Sequence, residues 1–326
     1  MRRILLIIGC CLLTIGVIEL GFLYVFWLPT HAQADWTYTQ QQKMLRSAEE
    51  FDVLILGDST AGNGVIPSLF QERTGMRAHN FGTTALVAAF ADPVMLLTYL
   101  EHHPPPRAII VVRSLNTWVR QVNYGAMRED YLDPNIVRFL YKEGMLTTEE
   151  VFSLALARIL PTYRYRNAVR RWWKDYREDF VAPEAYTDGF IRDDQVMRAV
   201  FQVGDLSLIT NAYDGKGFLF NADQILLLDY LCSIAQQHRI PTFVIIGPYS
   251  QDFAQLSNVQ AYATSLKTVL NLVTAQHPAC TFIDGRRTYS SYLLSNPTHV
   301  NYSGALLFTA DLANELRKYA PFKEPQ

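Results

Sequence analysis

The sequence predicts an α/β protein: a three-layer α/β/α domain on a parallel sheet, with an N-terminal transmembrane helix and a mainly helical insertion. Three observations predict it. Short apolar, β-branched runs alternate with helix-length stretches on either side of the middle of the chain. The first run, Val53 to Leu56, stops at Gly57-Asp58-Ser59, as a buried parallel strand does where its backbone turns. Ahead of it, Ile4 to Leu28 is an apolar span long enough to cross a bilayer core as a helix.

That span sets the predicted placement. Glu19 is its only charge, and a carboxylate at mid-membrane costs about 3 kcal/mol, whereas each Ile, Leu, Val or Phe returns roughly 0.3–0.6 kcal/mol, so the sum favours insertion. Arg2 and Arg3 hold the N-terminus in the cytoplasm and send the remaining chain to the outer face, with Tyr24 and Trp27 at the far interface. Residues 1–30 are thus read as a membrane anchor. The rival is a signal peptide cleaved after Ala32-Gln33-Ala34, which would release a secreted protein. Polar, helix-prone residues 31–51 form a spacer.

Residues 52–326 are read as one domain. After the strand at Val53, a second unit runs through Arg77-Ala78-His79-Asn80-Phe81-Gly82 into a helix over about 84–102. Pro104-Pro105-Pro106 ends that helix, and Ala108 to Val112 is a third buried strand. From about 117 to 220 the alternation lapses into the helical insertion, with Asp133-Pro134 and Thr147-Thr148-Glu149-Glu150 as helix starts. It resumes with a helix over about 222–238, a strand from Thr242 to Gly247, a helix over about 258–276, a strand from Thr281 to Gly285, and a last helix over about 302–319.

A net charge of −2 with 18% charged residues excludes the basic balance of nucleic-acid binders. Of the four cysteines, Cys10 and Cys11 fall in the apolar span, leaving Cys232 and Cys280 either bridged or as two buried thiols. No Cys/His spacing suggests a zinc site. Arg164 to Lys174 mixes basic and aromatic residues, either a surface for an anionic glycan, lipid headgroup or partner, or a solvated helix face with inward tryptophans.

Ser59 stands at the carboxyl end of a strand, where open α/β sheets bind ligands, and His299 in Pro297-Thr298-His299 precedes the last helix. Serine nucleophilic catalysis needs a hydroxyl within reach of an imidazole, a group to orient that ring, and donors for an oxyanion. Gly82 offers a backbone N–H after the second strand and Asn116 a side-chain amide after the third. The bland alternatives are that Gly-Asp-Ser is a turn or helix cap, and that Asn80 and Asn116 satisfy loop backbone. Arg113, near the same edge, would hold a substrate carboxylate or phosphate, or form a structural ion pair.

Four blocks in this order resemble the SGNH/GDSL hydrolase superfamily, over roughly 52–116 and 221–318: Gly57-Asp58-Ser59, Asn80-Phe81-Gly82, Ser114-Leu115-Asn116-Thr117 and Asn296-Pro297-Thr298-His299. The resemblance implies Ser59 as nucleophile, His299 as base, and Ser59, Gly82 and Asn116 as oxyanion donors. An anchored, outward-facing domain resembles the envelope-modifying members. That implies acyl-ester chemistry on a cell-envelope glycan or related polymer, with a membrane-bound acyltransferase as a candidate partner and no metal or nucleotide cofactor. Three positions depart from the pattern: Ser114 replaces a glycine, Thr117 an aspartate, and Asn296 the triad aspartate. In a serine triad, Asp to Asn lowers turnover by roughly 10⁴-fold. Three outcomes follow: a Ser59–His299 dyad oriented by a backbone carbonyl, a surrogate carboxylate such as Asp284, or a binding and scaffold role without catalysis.

Overall fold

The structure, a computed structural model, describes residues 9–10, 13–21, 40, 44, 49–122, 134–164, 188–197, 203–284 and 287–323. The chain divides into two compact units, Met1–Tyr38 with Tyr124–Ala182, and Thr39–Asn123 with Pro183–Gln326. The predicted helical insertion is therefore shared between them.

The larger unit is built on strands β1 (Val53–Gly57), β2 (Ala78–Asn80), β3 (Ala108–Arg113), β4 (Thr242–Ile246), β5 (Tyr249–Ser250), β6 (Cys280–Ile283), β7 (Thr288–Tyr289), β8 (Leu294–Asn296) and β9 (His299–Val300). Five of them form a parallel sheet in the order β2-β1-β3-β4-β6. Both faces are covered, which is why the strands read as unbroken apolar runs. Val53, Ile55, Ile110, Val112 and Ile245 point to one face and pack with Phe70, Phe308 and Leu312 from helices Pro67–Thr74 and Tyr302–Leu316. The alternating Leu54, Leu56, Ile109 and Val111 are equally buried on the other face, where helices Ala88–His102 and Ala222–Gln237 pack together. The α/β/α expectation thus holds at the level of layers and sheet.

The chain leaves β1 to pair with β2 on one side, then returns to place β3 on the other. The crevice beyond the carboxyl ends of β1 and β3 is the switch point where such sheets bind ligands. The outer edge of β2 is closed by two pieces of chain that the sequence assigned elsewhere. Asn80 N–H donates to Asp188 O at 2.9 Å, and the buried Gln40 donates its amide to Asn80 O at 3.0 Å. Gly189 has φ +88°, and a Cβ there would lie 1.8 Å from Asn80 O, so only glycine lets the segment approach this closely. Gln40 and Met44, in the predicted spacer, are buried parts of this unit, and edge pairing with a neighbouring chain is blocked.

A Cys232–Cys280 bridge, with Cα atoms 5.9 Å apart, joins helix Ala222–Gln237 to β6. Of the two readings left open by the sequence, the structure has the disulfide.

In the smaller unit, helices Pro134–Lys142 and Thr148–Ile159 begin at the predicted starts, the second with a reciprocal capping box between Thr147 and Glu150. Of the predicted span Ile4–Leu28, residues 9–10 and 13–21 are described, and they are helical. Among the described residues no helix is long and apolar enough to cross a membrane; the rest of the span, Ala32–Ala34 and residues 165–174 lie outside them. Glu19 accepts from Thr162 N–H at 2.7 Å and from the Thr162 hydroxyl, so the one charge of the apolar segment is met by two donors at the start of helix Pro161–Arg164.

Candidate active site

Gly57 ends β1 with φ +126°, and a Cβ there would lie 1.9 Å from Val112 O on the neighbouring strand. No side chain fits this turn, and the turn delivers Asp58 and Ser59 to the sheet's carboxyl edge. Asp58 is fully buried and caps helix Ser59–Gly64 by accepting from Thr60 N–H at 2.8 Å. Its other oxygen accepts from Ser114 N–H at 2.8 Å, from the Ser114 hydroxyl at 2.9 Å and from the Thr117 hydroxyl. Ser114 and Thr117, the two departures from the family pattern after β3, are thus the residues that hold the aspartate of Gly-Asp-Ser. Hydrogen bonds to a charged group each contribute about 1.5–3 kcal/mol, so this cluster fixes the end of β1 against the end of β3 firmly.

Asp92, inside helix Ala88–His102, accepts from Gly57 N–H at 2.9 Å and forms an ion pair with Arg113 at 2.6 Å, both side chains fully buried. The guanidinium also lies over the Trp118 ring. Arg113 therefore presents nothing to a substrate, and the expected substrate contact is corrected to a structural pair that braces the same turn. Burial raises the Asp92 carboxyl above its ordinary range, against the pull of Arg113. Asp92 was legible in principle, since a lone aspartate in the apolar stretch from Ala88 to Leu97 signals a buried charge that needs a partner, but it belongs to none of the motif blocks.

Gly82 sits where a Cβ would lie 2.6 Å from Gly62 N, a close approach between the loop after β2 and helix Ser59–Gly64. Its N–H donates to Asn80 Oδ1 at 3.0 Å, while Asn80 Nδ2 donates to Ala61 O and Val65 O. Asn80 thus ties this loop to helix Ser59–Gly64, and Gly82 can serve an oxyanion only through an N–H shared with Asn80. Asn116 is buried beyond β3 with its side-chain amide 2.8 Å from the Ser114 hydroxyl, whose one proton goes to Asp58.

His299 is carried by a short hairpin. β8 and β9 are antiparallel with Asn296 opposite His299, and Pro297-Thr298 make the turn, Asn before Pro suiting its first position. Ser59 Oγ and His299 Nε2 are 2.6 Å apart across 240 residues of sequence. His299 Nδ1 lies 3.0 Å from Asn296 Oδ1 and 3.2 Å from Thr298 Oγ1. Ser59, Asn296 and His299 are each half-buried, accessible from outside yet held by packed neighbours. Asp284 pairs with Lys267, and the orienting position beside the ring is occupied by Asn296. Among the described residues, no group of three or more His, Cys, Asp or Glu side chains could hold a metal ion.

A hydroxyl against one imidazole nitrogen and an amide oxygen against the other is an arrangement that serine nucleophilic chemistry can use, lacking the negative charge of the usual third member. No protein-family model matches this chain, and no curated protein matches it either.

Proposed function

We propose that the chain is an extracytoplasmic Ser–His ester hydrolase or O-acyltransferase of the SGNH/GDSL type, acting on acyl groups of a cell-envelope polysaccharide or related polymer. The 2.6 Å approach of Ser59 Oγ to His299 Nε2 carries the reading, with Asn296 on the far nitrogen. His299 takes the hydroxyl proton as Ser59 attacks the acyl carbonyl. The Nε2 proton then passes to the departing alcohol, leaving an acyl-serine. Water or a sugar hydroxyl attacks next and gives its proton to Nε2, which passes it to the Ser59 oxygen as the acyl–serine bond breaks, regenerating the free serine and neutral imidazole. The Ser59 N–H and Asn116 amide, with the shared Gly82 N–H, are the donors this reading assigns to the developing oxyanion. The buried disulfide suits an oxidising compartment and supports the outward placement expected from Arg2, Arg3 and the apolar span.

The test is hydrolysis of a short-chain activated acetyl ester by the full chain, beside Ser59→Ala and His299→Ala, with labelling by a serine-reactive phosphonate. Turnover and labelling abolished in Ser59→Ala are expected; labelling that survives Ser59→Ala removes the basis of the proposal. Asn296 favours a second reading, a catalytically weakened subunit that binds glycan or positions a membrane-bound acyltransferase. That reading predicts an unlabelled wild type and a labelled Asn296→Asp variant.

A further inference from the structure

We infer that Thr298 is a positioning residue whose backbone N–H fixes the side-chain amide of Asn296 with its oxygen against His299, and thereby holds the imidazole in the tautomer that leaves Nε2 free to accept the Ser59 proton. The inference rests on the Ser–His reading of the site and explains how it works with asparagine as its third member.

An asparagine carboxamide has two ends of similar shape and opposite hydrogen-bonding character. With oxygen against the ring, Nδ1 carries the proton and Nε2 has the lone pair that general-base catalysis needs. With the amino group against the ring, Nδ1 must accept, the proton moves to Nε2, and the base faces Ser59 with nothing to accept with. This wrong tautomer is the established defect when a serine triad's aspartate becomes asparagine.

Here the choice is made by a third group. Thr298 N–H donates to the Asn296 side chain at 3.0 Å, closing an Asx turn within the hairpin. A backbone N–H can only donate, so the atom it meets must be the oxygen, and the same oxygen lies 3.0 Å from His299 Nδ1. The Thr298 hydroxyl reinforces this, donating to Asn296 Oδ1 at 3.3 Å while its oxygen stands 3.2 Å from Nδ1. Reversing the amide would set its amino group against the Thr298 N–H, two donors with no acceptor, in a place where Thr298 is almost wholly buried. The turn is itself tied on both sides: Ser250 N–H donates to Pro297 O at 2.9 Å, and the Thr60 hydroxyl to Thr298 O at 3.3 Å, next to the nucleophile. Asparagine thus keeps the orienting function of an aspartate and forgoes only its charge.

The test uses the full chain with ¹⁵N-labelled histidine in membranes, by magic-angle-spinning NMR at a pH where imidazoles are neutral, about 8 or above. The His299 signals are those missing from His299→Gln. A protonated Nδ1 and bare Nε2 are expected in the wild type; a protonated Nε2 overturns the inference. Thr298→Pro removes the N–H and should mix the tautomers beside Asn296. It should leave them unchanged in an Asn296→Asp background, because a carboxylate has no wrong end. That double variant also shows whether Thr298→Pro folds. Should it not fold, Asn296→Leu replaces it, and an unchanged tautomer there counts against the inference. Kinetically, Asn296→Asp should raise turnover on the order of a hundredfold, the effect of a nearby charge, and a gain near 10⁴-fold would mean that the wild-type tautomer is wrong. The correct tautomer with no phosphonate labelling would retire the ester reading alone; labelling with a protonated Nε2 would retire this inference alone.

Discussion

Tyr262 carries a hydroxyl into the interior beneath Phe218 and Phe220, with no hydrogen-bond partner among the described residues and with burial raising its pKa. An unmet buried hydroxyl costs about 1–3 kcal/mol, so Tyr262→Phe should leave stability unchanged or raise it by up to about 1 kcal/mol in urea unfolding; a loss of more than that would show that the hydroxyl is bonded. Residue identity reports some roles and hides others. Ser59, His299 and Asn296 were legible because they fall in short blocks, one after the first strand and one before the last helix, that resemble those of SGNH/GDSL hydrolases. The contribution of Thr298 was not, since it comes from a backbone N–H that every residue except proline possesses. Arg113 was seen with its role left open between a substrate contact and an ion pair: its charge is visible in sequence, whereas its burial depends on Asp92, a residue from a covering helix that only the packed structure brings to it.

At the scale of elements, the sheet's carboxyl edge is fastened by two buried carboxylates, Asp58 between β1 and β3, and Asp92 between β1 and its covering helix. Removing one partner of a buried ion pair costs about 3–5 kcal/mol, so Arg113→Met should destabilise the larger unit by that amount at neutral pH. The loss should depend on pH in a defined direction. The Asp92 carboxyl is already raised above 3.8 by burial, and Arg113 is the main influence that opposes it. Without Arg113 the folded state holds the Asp92 proton to higher pH than the unfolded state does. Stability of the variant then falls as pH rises through that window. Urea unfolding of wild type and variant should therefore differ less near pH 5 than near pH 8, and a pH-independent difference would mean that Asp92 stays ionised without its partner. Long apolar strands and capped helices were readable from periodicity and Gly/Pro punctuation. The β8–β9 hairpin was not, because strands of three and two residues leave no alternation to read, and neither was the covering of β2, because Gly189 and Gln40 act through contacts distant in sequence.

Across the whole molecule, the disulfide and the proposed outward placement bear on each other. Both sulfurs are buried and the bridge closes a loop spanning 48 residues, so in a chain-entropy treatment it adds about 4 kcal/mol to stability by restricting the unfolded state. Such a bridge persists in an oxidising compartment and not against a cytoplasmic thiol pool. Cells lysed into an alkylating reagent without reductant should therefore yield a chain in which Cys232 and Cys280 resist modification until it is unfolded and reduced. Replacing both with alanine should lower the unfolding midpoint by an amount that reductant reproduces in the wild type but does not add to in the variant. Resistance to alkylation in the folded state is by itself ambiguous, because burial protects thiols as well as disulfides; the decisive step is alkylation after unfolding but before reduction. Modification at that step would show two thiols, remove the redox support for an extracytoplasmic domain, and leave its placement to Arg2, Arg3 and the apolar span alone.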